Sequence, residues 1–302
     1  MNKTELSRYV RLIQDVSMQP LMPLPPELSE EWERFVPKKG TALLDRIRAV
    51  LFDIYGTLFV SGAGEIAADP DHPLAPAAAT TSSHIEEMEA YFRQEVQSRH
   101  KKSRDLGIDW PEVRVEEIWA HYTGKIPDAW NIPQKNMEYE LAVHYELAVN
   151  PVYPMPHAES LLRSLVTSGR KLGIISNAQF FTPLLFNAFF KKSPEELGFD
   201  PCLCIYSFEE KEAKPSARLF IKAQKLLELQ NIKPEETLYI GNDMRNDIIP
   251  AAAAGFITAL FAGDRRSLRL RENDSACKGK KPSMLIRDFD LFIQELGKTD
   301  NK

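Results

Sequence analysis

The sequence predicts an α/β fold, a doubly wound parallel sheet accompanied by a smaller, mostly α-helical unit. Three observations lead there. From residue 150 onward, short apolar runs alternate with helix-patterned segments at the spacing of strand-helix units. Several of those runs stop abruptly at carboxylates, amides or hydroxyls, as strands do where they deliver side chains to a ligand crevice. A helix-patterned block over 62–149 then interrupts the alternation directly after the first strand.

Length and composition agree with this expectation. A chain of 302 residues exceeds the about 100–200 residues of one typical domain, and its 43% hydrophobic and 27% charged content is that of an ordinary globular protein. The net charge of −5 argues against nucleic acid or an anionic membrane as partner, because both reward a basic face. A small-molecule partner is expected, and the sequence sets no oligomeric state. The three cysteines, at 202, 204 and 277, form neither a zinc pattern nor a disulfide framework. Cys202 and Cys204 stand two apart in a strand-like run and should share a sheet face. With no apolar leader at Met1–Leu6 and no long apolar window, a reducing, cytoplasmic setting is expected.

The elements follow in order. Leu6, Tyr9, Val10, Leu12, Ile13 and Val16 recur at helical spacing until Pro20, Pro23, Pro25 and Pro26 break the pattern. Short helices are predicted over Ser29–Phe35 and Thr41–Arg48, and 1–42 reads as an appended helical extension that braces the core or mediates dimerisation. The run Val50-Leu51-Phe52 is a strand that ends at Asp53, followed by the turn residues Gly56-Thr57. Ser61–Ser83, rich in Ala, Gly and Pro, reads as a long loop. Helices are predicted over 84–104, 111–123 and Pro133–Val149, the last with a buried stripe at Met137, Leu141, His144, Tyr145 and Ala148. The α/β domain thus comprises 43–61 and 150–302, and the helical unit 62–149.

Beyond Asn150 the predicted strands are Lys171–Ser176, Cys202–Ser207, Thr237–Ile240, Thr258–Phe261 and Met284–Ile286. The helices between and after them are Ser160–Ser168, Pro183–Phe190, Ala217–Leu229, Ile248–Ala254 and Leu291–Leu296.

Four signals lie along this frame. Asp53 ends the first strand; alone, it is equally explained as a turn residue satisfying backbone amides. Ser176-Asn177 end the second, where a helix N-cap is the simpler account. Lys214 precedes Pro215, a residue suited to a first helical turn. Gly241-Asn242-Asp243-Met244-Arg245-Asn246-Asp247 places two carboxylates and two amides directly after a strand, more than turn structure requires.

Taken in this order and strand context, the four signals resemble the motifs of the haloacid dehalogenase-like hydrolase superfamily, over about residues 47–262. That resemblance implies a Rossmann-like core with a helical cap inserted between the first and second motifs. It also implies Asp53 as a nucleophile forming a covalent aspartyl intermediate, Thr57 and Ser176 (with Asn177 beside it) binding the transferring group, and Lys214 neutralising developing charge. Mg²⁺ would be held by Asp53, the Tyr55 carbonyl and either Asn242 or Asp243, with Asp247 in support. The physics suits these roles: a carboxylate attacks without deprotonation, but meets an anionic phosphoryl group as a like charge that a cation and a lysine offset.

Two departures matter. The usual Gly-Asp-Ser reads Gly241-Asn242-Asp243, so the expected acid has moved one place. Where superfamily phosphatases carry a general-acid Asp, this chain has Tyr55, whose phenol, with an unperturbed pKa of about 10, is a poor base toward water. A packing role under the cap explains Tyr55 as well as a substrate contact does. The missing acid favours leaving groups that need no proton, such as acyl, aryl or pyrophosphoryl groups, unless a cap residue supplies the proton. The favoured reading is a Mg²⁺-dependent hydrolase acting on a small phosphorylated metabolite. Tyr at this position is also similar to the 2-haloacid dehalogenases of the superfamily, which attack carbon without metal; a non-catalytic binding or regulatory scaffold is a third alternative. Against the dehalogenase reading, Asp53, Asp243 and Asp247 would crowd charge that a cation relieves.

Weaker candidates are His100, Arg104, Trp110, Glu112, Arg114 and Trp119 of the insert as substrate contacts, each better explained by packing or solvation. Gln179-Phe180-Phe181 stand at the pocket entrance or in the core. The charged run Asp264–Arg271 is expected as a solvated, partly mobile loop, with anion steering as its functional alternative.

Overall fold

The computed structural model describes residues 3–15, 21–22, 24, 43–63 and 83–300. The helix expected over Ser29–Phe35, the start of the one at Thr41–Arg48, the prolines that follow the first helix and most of the Ser61–Ser83 loop lie outside the described residues.

Strand β1 (Ala49–Phe52) is apolar on both faces and wholly buried, as a central parallel strand must be when helices cover both sides of its sheet. It pairs in parallel with β4 (Lys171–Ser176) on one side and β6 (Thr237–Gly241) on the other. β5 (Phe199–Tyr206), β7 (Ile257–Phe261) and β8 (Met284–Ile286) complete a six-stranded parallel sheet in the order β5-β4-β1-β6-β7-β8. The α/β expectation therefore holds. With β1 between β4 and β6, the sheet reverses its strand order at β1, and the C-terminal ends of these three strands meet at the crevice where such folds bind ligands.

A small second sheet was not foreseen. β2 (Phe59–Ser61) pairs antiparallel with β3 (Val152–Pro154), so the chain leaves for the insert and returns from it at one point. Three residues are too few to show alternation, which explains why no strand signal preceded the structure. Asn150 fastens the junction: its Oδ1 accepts from Ser61 Oγ (2.7 Å) and the Ala63 amide (3.0 Å), and its Nδ2 donates to Glu146 Oε1 (2.7 Å).

The insert folds as α2 (Ser83–Asp105), the short α3 (Val115–Trp119) and α4 (Met137–Val149). Trp119 is fully buried at its centre, stacked on Phe92 at 5.4 Å and touching Tyr91, Tyr122 and Tyr145. The helix expected over 111–123 is thus only five residues long, because its extended flank serves another contact described below. Helix α4 is buried well beyond the expected stripe, at Ala142, Val143 and Glu146 as well.

The reason is α1 (Lys3–Gln14), which packs between α4 and α6 (Leu184–Phe190). Tyr9 meets the Phe180 ring at 6.4 Å, and Arg8 Nε donates to Glu140 Oε1 at 2.6 Å. The first helix therefore braces the inserted helices against the sheet domain. Beside it, burial pulls His144 down to about 4, with Arg8 adding to the shift. The remaining helices are α5 (Ala158–Thr167), α7 (Ser207–Glu210), α8 (Ala217–Leu229), α9 (Ile249–Ala253) and α10 (Phe289–Asp300). Pro215 does not lie in the first turn of α8; it precedes the N-cap Ser216, whose Oγ accepts the Arg218 amide. The helix expected from Ile248 starts earlier, with a π-helical turn over Met244–Ile248 running into α9.

Candidate active site

Asp53 leaves β1 with its amide bonded to the Ile240 carbonyl of β6 at 2.9 Å, so the sheet ladder itself aims its side chain. Gly56 then turns the chain at φ +81°, where a Cβ would meet Asn242 Nδ2 and Ser267 Cβ at 2.6 Å. Only glycine lets the turn after β1 press against the turn after β6. At Gly241 a Cβ would meet the Asp247 carboxylate at 2.4–2.6 Å, so its absence is what admits that side chain beneath the strand end.

The Asp53 carboxylate is anchored by one oxygen. Oδ1 accepts Ser176 Oγ at 2.8 Å and Lys214 Nζ at 2.7 Å, while among the described residues no protein group bonds Oδ2. Lys214 bridges to Asp247 Oδ1 at 2.5 Å and reaches the Tyr239 hydroxyl at 3.4 Å. Burial would strip the proton from Lys214, but the flanking Asp247 and Asp53 outweigh it and hold the ammonium more firmly than usual. Asp247 is raised above the usual carboxylate range by burial, with Lys214 opposing. Its Oδ1 also faces the Tyr239 hydroxyl at 2.9 Å, and its Oδ2 accepts the Asp243 amide at 2.9 Å. Asn177 Oδ1 accepts the Lys214 amide at 2.8 Å and so fixes the lysine's loop to the end of β4.

The adjacent turn is built differently. Asp243 Oδ1 accepts the amides of Arg245 (2.8 Å) and Asn246 (3.1 Å), and Oδ2 accepts Arg271 Nη2 (2.6 Å) and Nε (3.0 Å). Both oxygens are saturated. Asn242 Oδ1 accepts from Thr57 Oγ1 at 3.2 Å, and its Nδ2 donates to the Ser267 carbonyl at 2.6 Å. Among the described residues, no group of three or more His, Cys, Asp or Glu side chains gathers into a metal cage.

Tyr55 is 4% exposed, and its hydroxyl shares a 3.0 Å hydrogen bond with Thr182 Oγ1, which also accepts the Gln179 amide. Burial first, then the nearby Glu146, pushes this phenol well above its ordinary value, and the bond to Thr182 recovers only part of the shift.

The cleft these residues enclose is small, about 20 Å³ of open space, lined by Asp53, Tyr55, Asn177, Lys214, Asn242, Asp243, Asn246 and Asp247. The structure therefore brings together the expected residues of all four motifs, with Thr57 and Ser176 directly behind them. It adds Asn246, Tyr239 and Arg271. A phenol in a fully buried central strand was the available signal for Tyr239, since such a hydroxyl needs a partner. Arg271 lay unnoticed in the run Asp264–Arg271, which is not a solvated loop. Asp264 and Ser267 are each 1% exposed, Asn242 O accepts the Arg269 amide at 2.9 Å, and the run forms a collar around the turn after β6.

None of the candidates from the insert lines the cleft. Trp119 and His100 are buried, Arg104 is exposed, Arg114 pairs with Glu116 at 2.9 Å, and Glu112 Oε2 accepts Ser207 Oγ at 2.6 Å. Phe180 and Phe181 belong to the core, whereas Gln179 bonds the Val113 carbonyl (2.9 Å) and the Val115 amide (3.2 Å) of the insert.

A family model described as haloacid dehalogenase-like hydrolase matches residues 47–255. The Rhythmically expressed gene 2 protein of Drosophila melanogaster is 33% identical over 102 residues, which cover 34% of this chain and 37% of that protein. Among solved structures, a HAD phosphatase from Thermococcus onnurineus is similar at 18% identity and a TM-score of 0.47, covering 83% of this chain and 98% of that one. An L-2-haloacid dehalogenase from Xanthobacter autotrophicus is similar at 17% identity and a TM-score of 0.45, covering 82% and 97%.

Proposed function

The chain belongs to the haloacid dehalogenase-like hydrolase family, and on that premise we propose that it transfers the phosphoryl group of a small phosphorylated metabolite to water through Asp53. One observation carries the reading: the Asp53 carboxylate has one oxygen held by Ser176 and Lys214 and the other open toward the cleft. Oδ2 attacks phosphorus, the bond from phosphorus to the leaving oxygen breaks, and the leaving group departs with the electron pair. Water then attacks the phosphorus of the aspartyl phosphate and returns the carboxylate. Lys214 stands against the charge that accumulates in both steps.

The donor set fits Mg²⁺, which often binds through one or two carboxylates plus substrate oxygens. Asp53, the Tyr55 carbonyl and Asn242 Oδ1 would hold it, and it would supply charge neutralisation to the phosphoryl group. Asp243 is left out of this set because Arg271 and two amides already occupy it. Asp247 serves by holding Lys214. The Tyr55 hydroxyl, buried and bonded to Thr182, gives the leaving group no proton, which favours acyl, aryl or pyrophosphoryl leaving groups. We assign the cap to 62–149, the catalytic domain to 43–61 and 150–302, and the extension to 1–42. The free cysteines suit a reducing cytoplasm, and no described helix is long and apolar enough to cross a membrane.

A second reading rests on charge. Lys214 and Arg271 already face the three carboxylates Asp53, Asp247 and Asp243, so the crowding that argued for a cation is largely offset within the chain. Under this reading Asp53 attacks a 2-haloacid carbon and halide leaves. Phosphate and chloride release, each measured with Mg²⁺ and with chelator, separates the two. Mg²⁺-dependent phosphate release supports the first reading, and chelator-resistant chloride release replaces it.

A further inference from the structure

The segment that leads into α3 is not free to move with the rest of the insert. Gln179, fully buried, ties Val113 and Val115 to the end of β4, and Glu112 is tied to Ser207 at the start of α7. At the tip of this strut the Trp110 carbonyl accepts the amide of Ala213, the residue before Lys214, at 2.8 Å. On its other side the Arg245 guanidinium lies 5.9 Å from the centre of the Trp110 ring, and Arg245 Nε donates to Asn246 Oδ1 at 3.2 Å. Lys214 and Asn246 both line the cleft. Trp110 thus bridges the loop that carries Lys214 and the turn that carries Asn246, outside the lining of the cleft itself, and is 39% exposed, one of the few large apolar side chains so displayed among the described residues.

A held, exposed indole beside a guanidinium is a surface for a flat aromatic group. The cleft at Asp53 is small, so the body of a substrate lies largely outside it. The Tyr55 hydroxyl is engaged by Thr182 Oγ1 at 3.0 Å, so under the reading above that part leaves as a stable anion. We infer that Trp110 and Arg245 form the leaving-group subsite and that its ligand is a planar aromatic alcohol, so that the substrate is an aryl phosphate. This rests on the phosphoryl-transfer reading above. When Asp53 Oδ2 bonds to phosphorus and the aryl oxygen–phosphorus bond breaks, the aryl oxygen keeps the electron pair. It departs as the phenolate, with Trp110 and the Arg245 guanidinium beside its ring, and takes its proton from bulk water. Asp274, 3.9 Å from Arg245, tempers that charge.

The test uses the full chain with Mg²⁺ and compares kcat/KM for 4-nitrophenyl phosphate with that for acetyl phosphate, a good leaving group that has no ring. Trp110→Ala should lower the aryl-to-acetyl ratio by about 2- to 13-fold, as expected for loss of one aromatic contact. Trp110→Phe should restore most of the ratio, and Leu106→Ala, on the exposed end of the same segment, should leave it unchanged. A ratio that does not move in Trp110→Ala, or that Trp110→Phe fails to restore, overturns the subsite. If the wild type hydrolyses neither compound, the phosphoryl-transfer reading itself fails; turnover of acetyl phosphate with no aryl preference overturns only the subsite.

Discussion

The ends of β1 and β6 lie side by side in the sheet, and each carries an aspartate in the turn that follows, but the two are in opposite condition. Asp53 has one oxygen bound and one open; Asp243 has both oxygens bound, by two amides and a bidentate arginine. Both are buried and both are paired to a cation, so neither burial nor charge distinguishes the candidate nucleophile. The difference comes from the loops. A single lysine reaches Asp53 from one side, whereas the collar after β7 wraps Asp243 and places a fork-shaped donor on it. A carboxylate becomes a candidate nucleophile here because its surroundings stop short of satisfying it.

The largest effect that bears on this contrast is at Asp53 itself. Asp53→Asn keeps the shape but removes the attacking oxygen, and activity should fall by more than about 10⁴-fold, as for other enzymes stripped of their nucleophile. The measurement is product release, together with intact-mass detection of the acylphosphate in wild type and its absence in the variant. A loss of less than tenfold would move the nucleophile elsewhere.

Next in size is Lys214→Met. It leaves Asp53 and Asp247 buried beside each other without their shared cation, so stability should drop by about 3–5 kcal/mol. The rate should fall by about 10²–10³-fold, the scale of losing one preorganised charge-stabilising group. Urea unfolding and steady-state kinetics read the two effects separately, and an unchanged rate in folded variant protein would remove Lys214 from the mechanism.

At the other strand end, Arg271→Met should cost stability but not chemistry. Arg271 is partly solvent-exposed, so about 1–3 kcal/mol is expected for leaving Asp243 short of a charged donor. Asp243→Asn combined with Arg271→Met should recover part of that loss, because the two changes share one interaction. The midpoint of Mg²⁺ activation should be the same in Asp243→Asn as in wild type. A displaced midpoint would show that Asp243 holds the metal and would erase the contrast between the two aspartates.

How far this was legible beforehand differs between the same two ends. The strand that delivers Asp53, the parallel sheet and the four motif positions follow from apolar runs that end in polar residues, a signal local in sequence. The condition of Asp243 was not legible, since its arginine lies 28 residues downstream in a run whose mixed charges resemble a solvated loop. The same holds for the strut. Gln179 sits next to two phenylalanines, and nothing nearby in sequence shows that its amide bonds a backbone 66 residues away. Short elements were missed for a related reason, because β2 and β3 are three residues each and are fixed by pairing rather than by pattern. Contacts made across the chain decide what each polar residue is for, and periodicity does not record them.

The smallest effect expected is at Tyr55, and its smallness is informative. Were this phenol the general acid, removing it would cost about 10²–10⁴-fold in rate. The structure gives its hydroxyl another task. Thr182 Oγ1 takes the Gln179 amide at 2.9 Å and meets the Tyr55 hydroxyl at 3.0 Å, in a buried pocket behind the cleft. In Tyr55→Phe, Thr182 keeps the Gln179 amide, so the stability loss should be about 0.5–1.5 kcal/mol, the net worth of one hydrogen bond. With a good leaving group the rate should change by less than about threefold, because such a group needs no proton from residue 55. A hundredfold loss, confined to substrates with poor leaving groups, would show that the Thr182 bond breaks during turnover and that the phenol donates after all. The open oxygen of Asp53 would then remain the nucleophile, but the restriction to self-sufficient leaving groups would go.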